Sequence, residues 1–216
     1  VEEYQNASTI ERFLYRIYRF PIVEVVFSAF YLFFILYRIR SKHDGKRERR
    51  SVHITNIGIV IMGVAISMAT SFEFFAFYQF FVLLFGGILG VTFFYVQHQF
   101  EEVYWRKGDE WDYETAAIEG CTYLKLPRIL QWASGNIGFH HIHHLSHSIP
   151  NYNLEKAYND QEYFRQSKTL ELKDMWGCFK LGLYDAKSKR MIKFSDLKSE
   201  KFNLDGIKSG DPELTT

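Results

Sequence analysis

An all-α integral membrane fold follows from two features of the sequence: a pair of charge-free apolar stretches, and the crowding of charge into everything else. The expected form is a transmembrane helical hairpin plus interfacial helices and a cytoplasmic histidine-bearing helical cap. Residues 52–98 hold one charged side chain, Glu73, in a chain with 26 Lys or Arg and 25 Asp or Glu. The mildly negative mean hydropathy averages a hydrocarbon-like block with a polar remainder, which excludes a simple soluble domain, a disordered chain and a collagenous one. At 216 residues the chain fits one domain. A net charge of +1 provides no field for nucleic acid. Cys121 and Cys178 lie far apart and outside CxxC spacing, so neither a disulfide framework nor a zinc ribbon is indicated, and a reducing, cytoplasm-facing location fits. The chain opens at Val1 without a signal-peptide pattern and reads as the C-terminal portion of something longer.

Ser8 followed by Glu11 is a capping box that starts a helix over 8–20. Ile10, Phe13, Leu14, Ile17 and Tyr18 fall on one face, with Arg12, Arg16 and Arg19 available to the other. This pattern suits a helix in a membrane interface, and a core-facing amphipathic helix is the alternative. Ile22–Tyr37 is apolar apart from Glu24 and Ser28. At about 1.5 Å per residue it reaches roughly 24 Å, short of a hydrocarbon core of about 30 Å, leaving a tilted span, a re-entrant piece or a half-buried helix open. Glu24, near the segment's end, is expected to reach water.

Residues 54–72 and 74–97 are free of charge and each long enough to span a membrane. Glu73 separates them, which predicts a tight hairpin, and Gly86, Gly87 and Gly90 offer a flat packing patch. The loop between them and the short apolar segment holds Arg38, Arg40, Lys42, Lys46, Arg47, Arg49 and Arg50, which places it in the cytoplasm. A hairpin leaves and returns, so residues after Gln97 are expected on that side too. The resulting division is 1–53 for the interfacial helix, short apolar segment and basic loop, 54–97 for the hairpin, 98–195 for the cap and 196–216 for a tail.

Five of the eight histidines crowd into residues 140–147. In the run from His140 to His144, the subset His140, His143 and His144 is spaced i, i+3, i+4, so a helix would project the three rings within roughly 100°. Clustered neutral imidazoles suit a transition metal and make poor structural sense without one. His141 lies at the edge of the arc, either supporting a ligand or replacing one. His98, where the long apolar stretch ends, emerges on the same side as the cluster and becomes a candidate ligand. Glu101, Glu102, Asp109, Glu110 and Asp112 are candidate acceptors for ligand rings or an ordinary solvated loop. His43 and His53 read as ordinary polar residues, and Pro150 disfavours a helix that carries His147 onto the cluster's face.

These residues resemble the membrane-bound fatty acid desaturases, bacterial acyl-lipid branch. The run His140-His141-Ile142-His143-His144 is similar to that family's third histidine box, with Gly135-Asn136-Ile137-Gly138-Phe139 before it and Ile149-Pro150-Asn151-Tyr152 after it. Gln97-His98-Gln99-Phe100-Glu101, followed by Tyr104-Trp105, resembles the branch's additional histidine motif. The family's HxxxH and HxxHH boxes do not precede this region, so the chain resembles the C-terminal part of a desaturase, expected to be inactive by itself. The resemblance implies His98, His140, His143 and His144 as ligands of a di-iron centre of two iron ions, and Asn136 as an assisting catalytic residue acting through water. It further implies an acyl-lipid substrate in membrane lipid, an electron donor such as ferredoxin or cytochrome b5, and O2-dependent insertion of a cis double bond. A related di-iron fatty acid hydroxylase, a membrane zinc hydrolase and a haem protein using His53 and His98 are the rival readings.

Overall fold

The computed structural model describes residues 1–39, 41, 42 and 45–198. Arg40 and His43 of the basic loop, and all of the tail beyond residue 198, lie outside the described residues. The chain forms two compact units, one of Ile17–Phe94 and one joining Val1–Arg16 to the residues from Tyr95 onward.

Two short helices open the chain, α1 (Glu2–Asn6) and α2 (Thr9–Tyr18). The expected capping box starts α2: the Ser8 N–H donates to Glu11 Oε2 at 2.8 Å, and the Glu11 N–H donates to Ser8 Oγ at 3.3 Å. No residue of α2 is buried. Its apolar face, with Ile10 and Phe13 the most exposed, is left uncovered by the described residues.

Within Ile17–Phe94, the short apolar segment is helical throughout. It runs as a π-helical turn at Val23–Phe27, α3 (Ser28–Phe30), a second π-helical turn at Tyr31–Ile35 and a 3-10 turn at Leu36–Arg38. Glu24 does not reach water as expected. It is buried and accepts from Arg19 at 3.0 Å, because a carboxylate in apolar surroundings needs a cation more than it needs exposure.

The two long helices are α4 (Lys46–Ala69) and α5 (Phe72–His98), each long and apolar enough to cross a membrane. The break between them differs from expectation. Thr70 and Ser71 make it, whereas Glu73 lies in the first turn of α5. Thr70 Oγ1 donates to the Ile66 carbonyl at 2.8 Å, and Ser71 Oγ accepts from the Phe74 N–H at 3.1 Å, so two hydroxyls satisfy backbone groups that the facing helix ends leave open. α4 also starts earlier than its apolar stretch, taking Lys46, Arg47, Arg49 and Arg50 into its first turns.

Only one of the three expected packing glycines is used as such. A Cβ at Gly87 would lie 2.8 Å from the Phe33 ring and 3.3 Å from the Ala29 Cβ, so the short apolar segment rests directly on the α5 backbone there. Gly86 and Gly90 face open space. On α4, Gly63 receives the Phe75 ring in the same way. The outward sides of α4 and α5, including Ile57, Val60, Ile61, Phe77, Phe85 and Leu89, are exposed. A surface this apolar is stable only against hydrocarbon or another apolar partner.

The other unit departs from an all-α expectation by including four short strands. After a 3-10 turn at Gly108–Glu110 and α6 (Tyr113–Glu119), β1 (Tyr123–Lys125) precedes α7 (Arg128–Ala133). A 3-10 turn at Ile137–Phe139 leads into α8 (His140–Leu145), and α9 (Leu154–Asp160) follows. β2 (Thr169–Glu171) pairs in parallel with β1 in the register Leu124–Leu170. Next come α10 (Met175–Cys178) and the antiparallel pair β3 (Leu181–Asp185) and β4 (Arg190–Lys193). The strands are too short, at three to five residues, to print a period-2 pattern on the sequence.

Ile118, Phe139, Ile142, Leu154 and Phe164 form the core beneath α8. A second cluster of Tyr4, Leu183 and Ile192 holds α1 to the β3–β4 hairpin. The Gly87 contact yields a prediction. Gly87→Leu should lower the thermal unfolding midpoint in detergent, reflecting an overpacking cost of about 1–3 kcal/mol. Gly86→Ala and Gly90→Ala should leave it unchanged or raised, since each gains up to about 1 kcal/mol of helix propensity.

Candidate metal centre

The site begins with a glutamine. Gln97, fully buried one residue before the end of α5, uses both ends of its structure to gather three chain segments. Its backbone carbonyl accepts from the Thr122 N–H at 3.0 Å. Its Nε2 donates to the Ile137 carbonyl at 2.8 Å and reaches the Gly138 carbonyl at 3.4 Å. The end of α5, the 120–122 segment and the turn leading into α8 are therefore held within one hydrogen-bond network.

That turn depends on two residues. Asn136 adopts the left-handed conformation at φ 62°, which asparagine tolerates better than most side chains, and reverses the chain after α7. Its Nδ2 donates to the Asn151 carbonyl at 2.8 Å, so the amide is committed to holding the segment that follows Pro150. Gly138 has no room for a side chain, since a Cβ there would lie 2.3 Å from the Leu124 carbonyl oxygen of β1. The next residues, Phe139 and Ile142, anchor the turn and α8 in the core.

His98 and α8 then meet. His98 Nδ1 lies 3.1 Å from the Gly120 carbonyl, which can only accept, so Nδ1 carries the proton and the Nε2 lone pair points away from it. His98 Nε2 is 3.1 Å from His144 Nε2. The ring centroids of His98, His140 and His144 lie 4.5–5.3 Å apart. Cys121 joins them: one ligand atom from each of His98, Cys121, His140 and His144 falls within 4.8 Å of the others.

His143 stands apart from this group. It is exposed, as His144 is, with its ring stacked 5.8 Å from that of His140, but it contributes no atom to the four-residue group. His141 turns the opposite way, into the protein, where it is fully buried with Nε2 3.0 Å from the Phe164 carbonyl. Adjacent rings on α8 thus point opposite ways, His140 toward His98 and His141 into the core. His53 is exposed on α4, and α8 ends before His147.

The electrostatics favour metal binding. Burial, followed by the fields of His144, His98, His143 and His141, pushes His140 down to about 3. Desolvation, followed by His98 and His143, holds His144 at about 4. Both imidazoles are therefore neutral donors at neutral pH, and a cation need not displace protons from them. Burial raises the Cys121 thiol above its ordinary range, which keeps it protonated until a metal replaces the proton. Three imidazole nitrogens and one sulfur form a donor set suited to a divalent first-row metal.

None of the five acidic residues considered as ring acceptors takes that role. Glu101 pairs with Arg190, Glu102 with Lys168, and Asp112 caps α6 through the Thr115 N–H. Asp109 and Glu110 form the 3-10 turn before α6. Backbone carbonyls of Gly120 and Phe164 orient the rings instead. Cys121 escaped sequence reading because its partners come from distant segments, and no spacing rule links a lone cysteine to a histidine box nearly twenty residues on.

Residues 2–170 match the fatty acid desaturase family. The chain belongs to that family. It is 37% identical over 198 residues to the fatty acid desaturase of Bacillus subtilis, covering 92% of this chain and 56% of that protein. It is 26% identical over 184 residues to the sn-1 oleoyl-lipid 12-desaturase of Synechocystis, covering 83% of this chain and 48% of that one. The sn-1 oleoyl-lipid 12-desaturase of Anabaena variabilis is 32% identical over 91 residues, 42% of this chain and 26% of its own length. The chain thus spans about half the length of the first two curated relatives. No solved structure matches it.

The network around Gln97 yields a second prediction. Gln97→Leu strips the donor from the Ile137 and Gly138 carbonyls and should destabilise the fold by about 1–3 kcal/mol. It should also weaken metal retention in a dialysis series against chelator. Lost stability with unchanged retention would mean that Gln97 holds the fold without aligning the ligands.

Proposed function

We propose that this chain is the third-box portion of an acyl-lipid desaturase, a multi-pass membrane enzyme with its metal centre on the cytoplasmic face. The observation that carries the reading is the meeting of His98, from the end of an apolar helix, with His140 and His144 of α8. It makes sense of a histidine box placed at the end of a membrane-length helix, because an acyl chain lies in the bilayer while O2 and electrons arrive from water.

The reaction removes one hydrogen from each of two adjacent methylenes of a lipid acyl chain and leaves a cis double bond. O2 accepts those two hydrogens together with two electrons and two protons, and two waters form. A saturated C–H bond offers no handle to an acid or base, so two histidine-bound iron ions supply the oxidising power when present. An external donor such as ferredoxin or cytochrome b5 delivers the electrons. His98, His140, His143 and His144 are assigned to hold the iron, with further histidines supplied from outside these 216 residues.

The remaining residues position and exclude. Gly120 fixes the His98 tautomer, and the Tyr113 hydroxyl donates to the His144 carbonyl at 2.6 Å, pinning the last turn of α8. Asn136 holds the approach to the box, and assistance to the reaction through a water is assigned to it as well. α4 and α5 are read as a hairpin crossing the bilayer, with α2 lying in the cytoplasmic interface. The exposed apolar face of α2 and its arginines support that placement.

Metal analysis by mass spectrometry tests the reading. The chain extended upstream to include those further histidines, purified in detergent, is expected to retain iron, and the variant carrying His98→Ala, His140→Ala and His144→Ala to lose at least about nine-tenths of it, as expected when the principal ligands are removed. Zinc near one per chain with no iron would move the chain to hydrolytic chemistry and sink the assignment.

A further inference from the structure

We propose that the groove between α1 and α2 binds the phosphate of an anionic phospholipid headgroup, tying this unit to a negatively charged membrane surface. The inference rests on the interfacial placement of α2 proposed above and adds the ligand chemistry which that placement leaves open.

The groove has a fixed floor. Tyr4 is buried with Leu183 and Ile192, and its ring packs 5.7 Å from that of Tyr15 and 5.3 Å from that of Phe194, measured between centroids. The Tyr15 hydroxyl donates to the Gly182 carbonyl at 3.2 Å, which fastens the middle of α2 to β3. Over this floor an open cavity of about 450 Å³ is lined by Gln5 of α1 and by Thr9, Arg12, Phe13 and Arg16 of α2. Small-molecule sites span roughly 300–1,000 Å³.

Charge defines the ligand. Two arginines one helical turn apart line the cavity, and no acidic side chain does. Like charges at this spacing repel, so an anion between them relieves a cost already present in the helix. Among the described residues, no carboxylate lies within ion-pair distance of either guanidinium. Arg16 is already oriented: its Nε donates to the Tyr4 hydroxyl at 2.5 Å, and its guanidinium carbon lies 5.0 Å from the Phe194 ring centroid. That bond uses Nε and leaves the two terminal nitrogens as donors. A guanidinium fork of this kind matches the oxygens of a phosphate.

The apolar neighbours decide for a lipid over a soluble phosphate. Phe13, one wall of the cavity, shares a face with Ile10 and Leu14, and all three are exposed. At 100° per residue, Thr9 and Arg16 lie within about 60° of Phe13 around the helix. The cationic edge therefore adjoins the apolar face as a phosphate layer adjoins acyl chains. A free phosphate would use the arginines alone, whereas a phospholipid uses both.

Native mass spectrometry counts the bound lipid. The upstream-extended chain in detergent is titrated with phosphatidylglycerol and, separately, with zwitterionic phosphatidylcholine. Phosphatidylglycerol is expected to bind at least about fivefold more tightly, and Arg12→Gln with Arg16→Gln to weaken it about thirtyfold, a factor of about five for each basic residue at an anionic surface. Arg12→Gln alone removes a side chain that pairs with no carboxylate, and its expected loss of about fivefold decides the matter even where the double variant fails to fold. Lys156→Gln with Lys180→Gln removes the same charge elsewhere and should leave binding unchanged. An equal loss in that control, equal affinity for the two lipids, or displacement of phosphatidylglycerol by inorganic phosphate would each overturn the proposal. Bimane on Ile10→Cys, in phosphatidylcholine vesicles, reads the placement of α2 separately, since the native Cys121 and Cys178 are buried. Blue-shifted emission without headgroup preference would overturn the site and leave the interfacial placement standing, whereas water-like emission would overturn both.

Discussion

The candidate centre depends on one buried amide. Gln97 sits where a helix of membrane length gives way to irregular chain, and its hydrogen bonds join segments separated by more than twenty residues on one side and forty on the other. A buried amide that lost these partners would leave several polar groups without water, so the arrangement is held by the cost of breaking it more than by the strength of any bond. His98 inherits its position from Gln97 by being the next residue. His140 inherits its position from the turn that Gln97 grips.

Steric limits sharpen this placement. Gly138 lets the turn lie against the β1 backbone at a distance no other residue allows, and the core beneath α8 takes Phe139 and Ile142. The six residues of α8 are too few to be stable by themselves. Packing below, the Tyr113 hydroxyl at the end and the His141–Phe164 bond along one side supply what the helix lacks. A metal would bind a scaffold already assembled.

Much of this was legible in the sequence. The two long helices announce themselves by their lack of charge, and the Ser8–Glu11 cap by its spacing, because both are local properties. The turn at Thr70–Ser71 was misplaced onto Glu73, since charge marks where a chain can be solvated and not where a helix ends. Glu24 was misread for a related reason: its partner Arg19 stands five residues away, across the bend at Pro21, outside any single helical face. The histidine box was readable as a cluster, but its division into inward and outward rings required the helix's orientation on its core. Cys121 was invisible because its histidine neighbours gather around it only after distant segments meet.

The exposure of the cluster is unequal. Cys121 is enclosed, His98 and His140 are partly covered, and His144 faces outward. Such a site would exchange with water through one imidazole: a metal ion would meet His144 first, and the Tyr113 hydroxyl, donating to the His144 carbonyl, ties down the end of the short helix that carries this ring.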